Sequence, residues 1–482
     1  MKVWIPVTIL AAALAVTGVA SARTDGDGAS KRYVVAFVQS SGLPADATNL
    51  VTGAGGTIST SLPQVGGLRA TSSNPSFAST LLASPEVAAV DVETAWRMTP
   101  RNDAGGAPVA GPAPHSATGG MDPLYGQQWD KLRLGATPSG SYAIQRGRRD
   151  VVVAVLDSGA DLTHPDVAPN LDVPRSRSFV PGEPDVQDHD GHGTWVLSAI
   201  AAPINGVGIS GVAPDVTTVA LKVLDRNGVG TSASVAQALV YAGQSHFDVA
   251  SMSIGVYLDS SADKADVTLV QRAVDFARRN GVLPIGSLNN DNLDLSDNKV
   301  MGKTVELPAD LDGVVGVSAT GYANQKAYYS NYGKKEADVA APGGDKRFQL
   351  PPAPYRGGGR LLGAWTPETA GSLDPSLVEQ DCEPGFGCAT YAWEQGTSMA
   401  APQAAGVAAL IVSQYGHMTP DQLESRLEAS ALPDACPSPP TVTYDLPPGL
   451  FAFDTATCKG KPDSNTFYGA GVVDAVRAVT AP

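Results

Sequence analysis

The sequence predicts an α/β protein with a mostly parallel central sheet, helices on both faces of that sheet, and a smaller α+β unit ahead of it. Three observations predict this arrangement. The chain has 482 residues, too many for one ordinary hydrophobic core. From about Asp122 onward, apolar strand-like runs alternate with helix-like segments, which is typical of a parallel sheet with crossover helices. A segment rich in Gly, Ala and Pro, residues 99–121, separates this region from an earlier one.

The first 22 residues are typical of a secretory signal. Lys2 supplies a positive start, residues 5–19 are mostly apolar, and Ala20-Ser21-Ala22 offers small residues for cleavage. The apolar run is short for a membrane span. We therefore expect a secreted, extracellular protein without a membrane anchor.

The smaller α+β unit is predicted over residues 23–98, followed by the linker at 99–121, where proteolytic nicking is expected. The pattern predicts strands at 33–38, 62–70 and 87–92, and helices at 44–53 and 75–83.

The larger unit is predicted over residues 122–482. Its expected strands are 151–156, 216–223, 249–254, 282–285 and 314–319. One helix is expected to start at Gly193, and two more are expected at 232–244 and 264–279. In such sheets ligands bind beyond the carboxyl ends of the strands, so functional residues should follow them directly.

Two insertions, near 343–391 and 432–467, interrupt the pattern and are predicted to be irregular. Each contains one close pair of cysteines, Cys382 with Cys388 and Cys436 with Cys458. Four cysteines allow three pairings, of which local disulfides are the simplest and suit an exported protein.

The charge balance limits the partners of the chain. The net charge of −15 argues against nucleic acid or an anionic membrane. Nothing in the composition indicates a redox cofactor.

Three polar residues stand at expected strand ends or helix starts. They lie in Leu156-Asp157-Ser158-Gly159, in Asp190-Gly191-His192-Gly193-Thr194 and in Gln395-Gly396-Thr397-Ser398-Met399-Ala400-Ala401-Pro402. A hydroxyl is a weak nucleophile until a base removes its proton, and His can do this near neutral pH. A carboxylate fixes the tautomer of that His. Singly, Asp157 could cap a turn, Ser398 could cap a helix, and His189 is an alternative to His192; together they predict a catalytic triad.

These segments resemble the three signature segments of the subtilisin-like serine proteases, the subtilases of peptidase family S8. The resemblance extends from about residue 122 to the final Gly469-Ala470-Gly471-Val472-Val473-Asp474. It implies a subtilisin-like three-layer fold and a monomeric serine endopeptidase that needs no catalytic cofactor. It also implies that Asp157 orients His192, that His192 is the general base, and that Ser398 is the nucleophile.

The resemblance further implies an Asn that binds the oxyanion, after the strand at 282–285. An ungapped comparison from Gly281 gives this role to Asn290 and puts Asn289 where the family has Gly. Asn tolerates a positive φ better than other non-Gly residues, so the turn can be kept. A shift of one residue would select Asn289 instead.

Substrate-binding edges are implied at two places that resemble family segments. One is Ser253, Ile254 and Gly255, and the other is Gly228, Val229 and Gly230. Backbone pairing with such edges holds an extended protein or peptide substrate with little sequence readout.

A structural calcium ion is also implied by the resemblance. Asp166 and the loop residues Asn205, Val207 and Ile209 would supply oxygen ligands, which suit Ca²⁺. The alternative is a tight, Gly-rich loop without metal.

The unit at 23–98 resembles a subtilase propeptide, which assists folding and inhibits the active site until it is removed. The alternative is a permanent accessory domain. Two departures from the family pattern are Trp195, where a second His is usual, and Gln403, where His is common. For the whole protein, the other readings are a catalytically silent protein-binding homologue and a peptide ligase or cyclase that uses the same acyl-enzyme.

Overall fold

The structure is a computed structural model, and it describes residues 30–97, 120–347, 357–383, 387–446 and 450–481. The expected signal segment and nearly all of the expected linker lie outside these ranges. Among the helices in the described ranges, none combines the length and apolar character that crossing a bilayer requires.

The N-terminal unit is a four-stranded antiparallel sheet with two helices on one face, and its strand order is β2-β3-β1-β4. The predicted single strand at 62–70 was wrong, because Pro63 starts a turn and Gly66 adopts a φ of 58° that reverses the chain. The elements are β1 Lys31–Phe37, α1 Ala47–Gly53, β2 Gly56–Leu62, β3 Gly67–Ser72, α2 Phe77–Leu82, β4 Val87–Val92 and β5 Ala95–Arg97.

The larger unit is built on a seven-stranded parallel sheet, which confirms the predicted fold class. The strands up to the first insertion are β6 Val152–Asp157, β7 Arg177–Ser178, β8 Thr217–Lys222, β9 Val229–Thr231, β10 Val249–Met252, β11 Val256–Asp259, β12 Leu283–Ser287, β13 Thr304–Leu307, β14 Val315–Thr320 and β15 Val339–Pro342. The helices are α3 Trp129–Leu134, α4 His192–Ala201, α5 Ser232–Gln244, α6 Lys264–Arg279, α7 Asn298–Met301, α8 Pro367–Ala370, α9 Thr397–Tyr415, α10 Pro420–Ser430 and α11 Ala475–Thr480.

The order of the central sheet is β15-β14-β12-β10-β6-β8-β7, so it changes direction beside β6. Along β6, Val153 and Val155 pack with α4 and α9, whereas Ala154 and Leu156 pack with α5 and α6 on the other face. The alternation of a strand thus produces a helix layer on each side. Ligands bind at such a reversal of strand order, beyond the carboxyl ends of the strands.

The insertion at 343–391 is not irregular as predicted, because much of it forms an antiparallel sheet of order β16-β18-β17. The Cys382–Cys388 disulfide joins β17 to β18, and a Cys436–Cys458 disulfide closes the second insertion, so both local pairings are confirmed. The remaining strands are β16 Leu361–Ala364, β17 Val378–Glu383, β18 Gly387–Glu394, β19 Thr441–Thr443, β20 Thr455–Thr457, β21 Gly460–Lys461 and β22 Ser464–Asn465.

The N-terminal unit packs against α5 and α6. Val34, Ala36 and Leu62 on one face of its sheet share a hydrophobic cluster with Leu269 of α6. The Arg272 side chain of α6 donates to the Phe37 carbonyl at 2.9 Å. One face of the small sheet therefore forms its own core and the other belongs to the interface between the units.

Candidate active site

Asp157 and His192 are brought together at the carboxyl end of β6. Asp157 is the last residue of β6 and His192 is the first residue of α4. His192 Nδ1 lies 2.8 Å from Asp157 Oδ1, and both side chains are buried. The Ser158 N–H donates to the same Oδ1 at 2.7 Å. The contact fixes the plane of the imidazole and assigns Nδ1 to the carboxylate. His189, the alternative base, instead contacts Glu368 on α8 at 2.8 Å.

Asp188 positions the start of α4, and the sequence analysis did not identify it. Its Oδ1 accepts hydrogen bonds from Ser158 Oγ and from the N–H groups of Asp190 and Gly191. Its Oδ2 accepts two from Thr194, at 2.9 and 2.6 Å. Burial would raise the pKa of Asp188, but these hydrogen bonds outweigh it and leave the pKa below its usual value. The run of polar residues just before a helix start was the available signal for this role.

Ser398 lies in the first turn of α9 and is only partly buried. Its hydroxyl donates to the carbonyl of Ser253 at 3.2 Å, and the Ser253 hydroxyl donates to the carbonyl of Ser398 at 2.8 Å. This reciprocal pair ties the helix start to the chain that follows β10. The strands β6 and β10 are neighbours in the sheet, so Ser398 lies on the same edge as Asp157 and His192.

The two consecutive asparagines have different roles in the structure. Asn289 adopts a φ of 66°, which agrees with the expectation that Asn can replace Gly at this turn. Its Nδ2 donates to Glu306 at 2.8 Å. Asn290 Oδ1 accepts from both the backbone and the hydroxyl of Thr397, at 2.8 and 3.0 Å. Because Thr397 precedes Ser398, this contact favours Asn290 over Asn289 as the donor near the nucleophile.

The expected substrate edges lie on either side of this site. Ser253, Ile254 and Gly255 directly follow β10, whereas Val229 and Gly230 belong to β9 and Gly228 precedes it at a φ of 67°. β9 already has an antiparallel partner in this chain, because β5 pairs with it in the register Trp96 to Gly230.

Trp96 anchors this pairing between the two units. Its indole is fully buried and donates to Ser232 Oγ at 2.9 Å. The segment that leaves the N-terminal unit thus occupies the edge that was expected to bind substrate.

The four expected calcium ligands lie in or beside a loop whose N–H groups are hydrogen-bonded to side chains. Asn205 is exposed, and its Oδ1 accepts from the Val207 N–H at 2.9 Å. The Ile209 N–H donates to Asp166 Oδ2 at 3.0 Å, and the Gly208 N–H donates to Asp381 at 2.8 Å. The loop therefore presents N–H donors to the Asp166 and Asp381 carboxylates. Within the described residues, no group of three or more His, Cys, Asp or Glu side chains is arranged to hold a metal ion.

Tyr391 of β18 fills the middle of this loop. Its hydroxyl donates to Asp166 Oδ2 at 2.8 Å, and a Cβ on Gly208 would lie 1.7 Å from the hydroxyl oxygen. Both Tyr391 and Asp381 come from the first insertion, where family resemblance gave no information. The first insertion therefore supplies an acceptor, Asp381, and a donor, Tyr391, at this loop.

The two departures from the family pattern also have partners in the structure. Trp195 is fully buried and donates to the Ala392 carbonyl at 3.1 Å, and a Cβ on Gly363 would lie 2.4 Å from its indole. It therefore seats the insertion sheet on α4. Gln403 is buried between Lys131 and Asp130, with hydrogen bonds of 3.0 and 2.8 Å, and the Lys131 and Asp130 side chains also pair directly at 2.6 Å.

Comparison with known proteins agrees with this geometry. The model of the subtilase family matches residues 148–471, more than half of the chain. The chain is 33% identical over 279 residues to a thermostable alkaline protease of Halalkalibacterium halodurans, covering 58% of this chain and 61% of that protein. It is 33% identical over 281 residues to subtilisin Savinase of Lederbergia lenta, covering 58% and 83%. Some of these relatives are thus matched over less than two thirds of their length.

Solved structures show a similar architecture. A lanthipeptide protease is 30% identical with a TM-score of 0.56, and the match covers 73% of this chain and 93% of that one. The epidermin leader peptide processing serine protease of Staphylococcus aureus is 20% identical with a TM-score of 0.70, covering 94% and 98%. At that identity the second likeness shows the fold alone, but it includes the N-terminal unit. The chain belongs to the subtilase family.

Proposed function

We propose that this protein is a secreted serine endopeptidase that is made as a zymogen. The observation that carries the proposal is the 2.8 Å contact between Asp157 and His192, on the same sheet edge as Ser398. A buried carboxylate bound to Nδ1 leaves the opposite imidazole nitrogen to act as a base. The partly exposed hydroxyl of Ser398 at a helix start is then the nucleophile.

In this mechanism Nε2 of His192 takes the proton from Ser398 Oγ as the oxygen attacks the scissile carbonyl carbon. The Nδ2 group of Asn290 and the backbone N–H of Ser398 donate to the oxyanion. His192 then gives its proton to the departing amine, the C–N bond breaks, and an acyl-enzyme remains. Water attacks the ester by the same proton transfers and releases the acid. Asp157 stabilises the imidazolium that forms.

The Ser398 hydroxyl must turn for this reaction, because in the structure it donates to Ser253. Catalytic hydrogen bonds often form only when substrate is bound, so this geometry is compatible with the proposed role.

We further propose that the N-terminal unit is the inhibitor of the zymogen. The pairing of β5 with β9 supports this, because β5 lies on an edge that an extended substrate would use. The shared hydrophobic cluster with α6 holds the unit in place. Cleavage in the connection 98–121 would start its removal.

The test is a time course of the purified precursor with a protein substrate, beside its Ser398→Ala form. We expect the wild-type protein to cut itself between residues 97 and 121 and then to digest the substrate. The Ser398→Ala form should stay intact, with turnover lower by more than about 10,000-fold. Mass spectrometry of the products and of the new N-termini provides the readout.

Each alternative has its own outcome in that experiment. Undiminished hydrolysis by the Ser398→Ala form would contradict the mechanism. A folded but inert wild-type protein, starting near Asp122, would indicate a silent binding homologue. Peptide products of new connectivity would indicate a ligase or cyclase, in which an amine replaces water at the acyl-enzyme.

A further inference from the structure

Asn331 is a fully buried residue that contacts the turn of the proposed oxyanion donor, Asn290. It lies in the connection between β14 and β15. Its backbone N–H donates to the Asn289 carbonyl at 3.1 Å. Its side-chain Oδ1 accepts from the Asp291 N–H at 3.1 Å and from the Leu293 N–H at 2.9 Å. One residue therefore contacts the chain on both sides of Asn290.

The contacts to Asn289 and Asp291 fall on the two peptide groups that flank Asn290. The Asn289 carbonyl belongs to the peptide group before Asn290, and the Asp291 N–H belongs to the peptide group after it. Because a peptide group is planar, a hydrogen bond to its carbonyl or its N–H restricts the whole plane. The φ and ψ torsions of Asn290 relate these two planes. Asn331 therefore restricts both torsions, and with them the direction in which the Asn290 side chain leaves the backbone.

The amide group of Asn331 is itself oriented by Tyr257 of β11. Its Nδ2 donates to the Tyr257 hydroxyl at 2.6 Å, and that hydroxyl donates to Asp291 Oδ2 at 2.6 Å. Together with the Asp291 N–H bond, these contacts form a closed ring of three hydrogen bonds. Exchanging the amide oxygen and nitrogen would break this ring, so Oδ1 stays directed at the turn.

The side chain of Asn290 is held at its other end by Thr397. Its Oδ1 accepts from the Thr397 N–H and hydroxyl, which leaves its Nδ2 group as the donor for a substrate. An oxyanion donor is effective when it is already fixed where the negative charge develops, since it then needs no reorientation during the reaction. Thr397 fixes the amide end of Asn290, and Asn331 fixes its backbone.

We propose that Asn331 is a positioning residue, which holds the backbone of Asn290 so that Nδ2 meets the oxyanion of the tetrahedral intermediate. The inference rests on the proposed peptidase function, and it requires that Asn331 act on the reaction through Asn290. The rival explanation is that Asn331 stabilises the fold and has no effect on the reaction.

The test is a double-mutant cycle of Asn331→Ala and Asn290→Ala with a peptide substrate. Each variant is made as the full-length precursor and processed by tagged wild-type enzyme, which is then removed. We expect Asn331→Ala to lower kcat by about 10- to 100-fold, with KM changed by less than about threefold, because a displaced donor weakens binding of the transition state alone. In the Asn290→Ala background, where the donor is missing, the same substitution should lower kcat by less than about threefold.

A peptide aldehyde provides a second readout that a purely structural role would not change. Its carbonyl adds the Ser398 hydroxyl to form a hemiacetal, whose oxygen occupies the position of the oxyanion. We expect Asn331→Ala to bind this inhibitor at least about tenfold more weakly than the wild-type enzyme, in line with the loss of kcat. In the Asn290→Ala background the difference should again fall below about threefold.

Asn465→Ala is the matched control. Asn465 is also a buried Asn whose Oδ1 accepts from two backbone N–H groups, those of Phe467 and Tyr468, both at 3.0 Å. Its amide nitrogen donates to the Asp434 carbonyl at 2.8 Å, so these contacts lie outside the turn at 289–293. Asn465→Ala should lower Tm as Asn331→Ala does, but it should leave kcat and the aldehyde affinity of the folded enzyme unchanged.

The outcomes separate this proposal from the peptidase function. If the wild-type enzyme cuts no peptide, the peptidase function fails and the role of Asn331 fails with it. If the wild-type enzyme is active and Asn331→Ala keeps full kcat, the role of Asn331 alone is overturned. Equal losses of kcat in both backgrounds would also overturn it, because Asn331 would then not act through Asn290.

Tyr257→Phe decides the question should Asn331→Ala fail to fold. It keeps the ring and removes only the hydroxyl that orients the Asn331 amide. A loss of kcat of about threefold or more that disappears in the Asn290→Ala background would support the proposal. An unchanged kcat would overturn it.

Discussion

Asp188 and Glu306 are both fully buried carboxyl groups near the proposed active site, yet they differ in their hydrogen-bond donors and in the charges beside them. Asp188 accepts five hydrogen bonds, and its pKa is lowered despite burial. Glu306 accepts one side-chain hydrogen bond and has carboxylates as neighbours, and its pKa is raised. Burial alone therefore does not set the direction of the pKa shift, because the hydrogen-bond donors and the charges around the group also contribute.

The difference separates a carboxylate whose charge is stabilised by donors of the chain from a carboxyl group whose charge is not. All the hydrogen-bond donors to Asp188 named above belong to this chain. They hold its carboxylate against the backbone at the start of α4. Oε2 of Glu306 is buried and has no hydrogen-bond partner among the described residues. Variants of both groups, in a Ser398→Ala background that prevents self-digestion, test this comparison.

The largest effect is expected for Asp188→Ala. It leaves the buried N–H groups of Gly191 and Thr194 without an acceptor, so the free energy of unfolding should fall by at least about 3 kcal/mol. Urea denaturation measures the loss. Asp185→Ala, an exposed carboxylate three residues earlier, is the control and should change stability by less than about 0.5 kcal/mol. Equal effects of the two would contradict the supporting role of Asp188.

A smaller effect on the free energy of unfolding is expected for Glu306→Gln, and its pH dependence should be opposite to that of Asp188→Asn. Because the pKa of Glu306 is raised in the folded state, its contribution to stability is complete below the unfolded pKa, 4.5. That contribution is lost as pH rises through the folded pKa. The Gln variant should therefore gain stability relative to its parent as pH rises, by up to about 1.4 kcal/mol per pH unit.

Asp188→Asn should show the reverse trend in the same measurement. A lowered pKa contributes above the unfolded value, 3.8, and the contribution is lost as pH falls through the folded pKa. Urea denaturation from about pH 2 to about pH 9 measures both variants, because the Asp188 contribution is lost only below the unfolded pKa of 3.8. Parallel pH profiles for the two would remove the basis of the comparison.

The smallest effect is expected at Asp166, where one carboxyl oxygen has hydrogen-bond donors and the other has none among the described residues. Its Oδ2 accepts from Ile209 and Tyr391, whereas its Oδ1 has no hydrogen-bond partner among the described residues. Since Tyr391 occupies the loop, we expect Tyr391→Phe to cost about 1 kcal/mol.

A chelator tests the same loop. We expect EDTA to change Tm by less than about 2 °C, as measured by calorimetry with and without added Ca²⁺. A stoichiometric calcium-dependent rise in Tm would instead confirm the metal site that the sequence predicted. Magnesium at the same concentration is the control for ionic strength.

The sequence allowed prediction of the features that depend on local pattern. The strand at 151–156 and the helices at 232–244 and 264–279 appear within a residue or two of their expected bounds. The contact between Asp157 and His192 was also expected, because the first residue ends a strand and the second starts a helix. Asn289 was expected to adopt a positive φ, and it does.

The features that were missed depend on contacts between distant segments. The side-chain contacts of the expected calcium loop were missed because Tyr391 and Asp381 reach it from an insertion that is more than 170 residues away in sequence. The insertion sheet was not predicted, since its short strands are held by packing of Trp195 rather than by a long periodic run. Glu306 has no local motif, and only the pairing of β13 with β11 places it beside Gly255.

The pairing of β5 with β9 has a consequence for how tightly the N-terminal unit is held. While the chain is continuous, the unit faces its docking edge at an effective concentration that a short tether sets in the millimolar range. A cut in residues 98–121 would turn that contact into an encounter between two separate molecules. Its occupancy would then depend on dilution, so secretion into a large volume would itself favour an open edge.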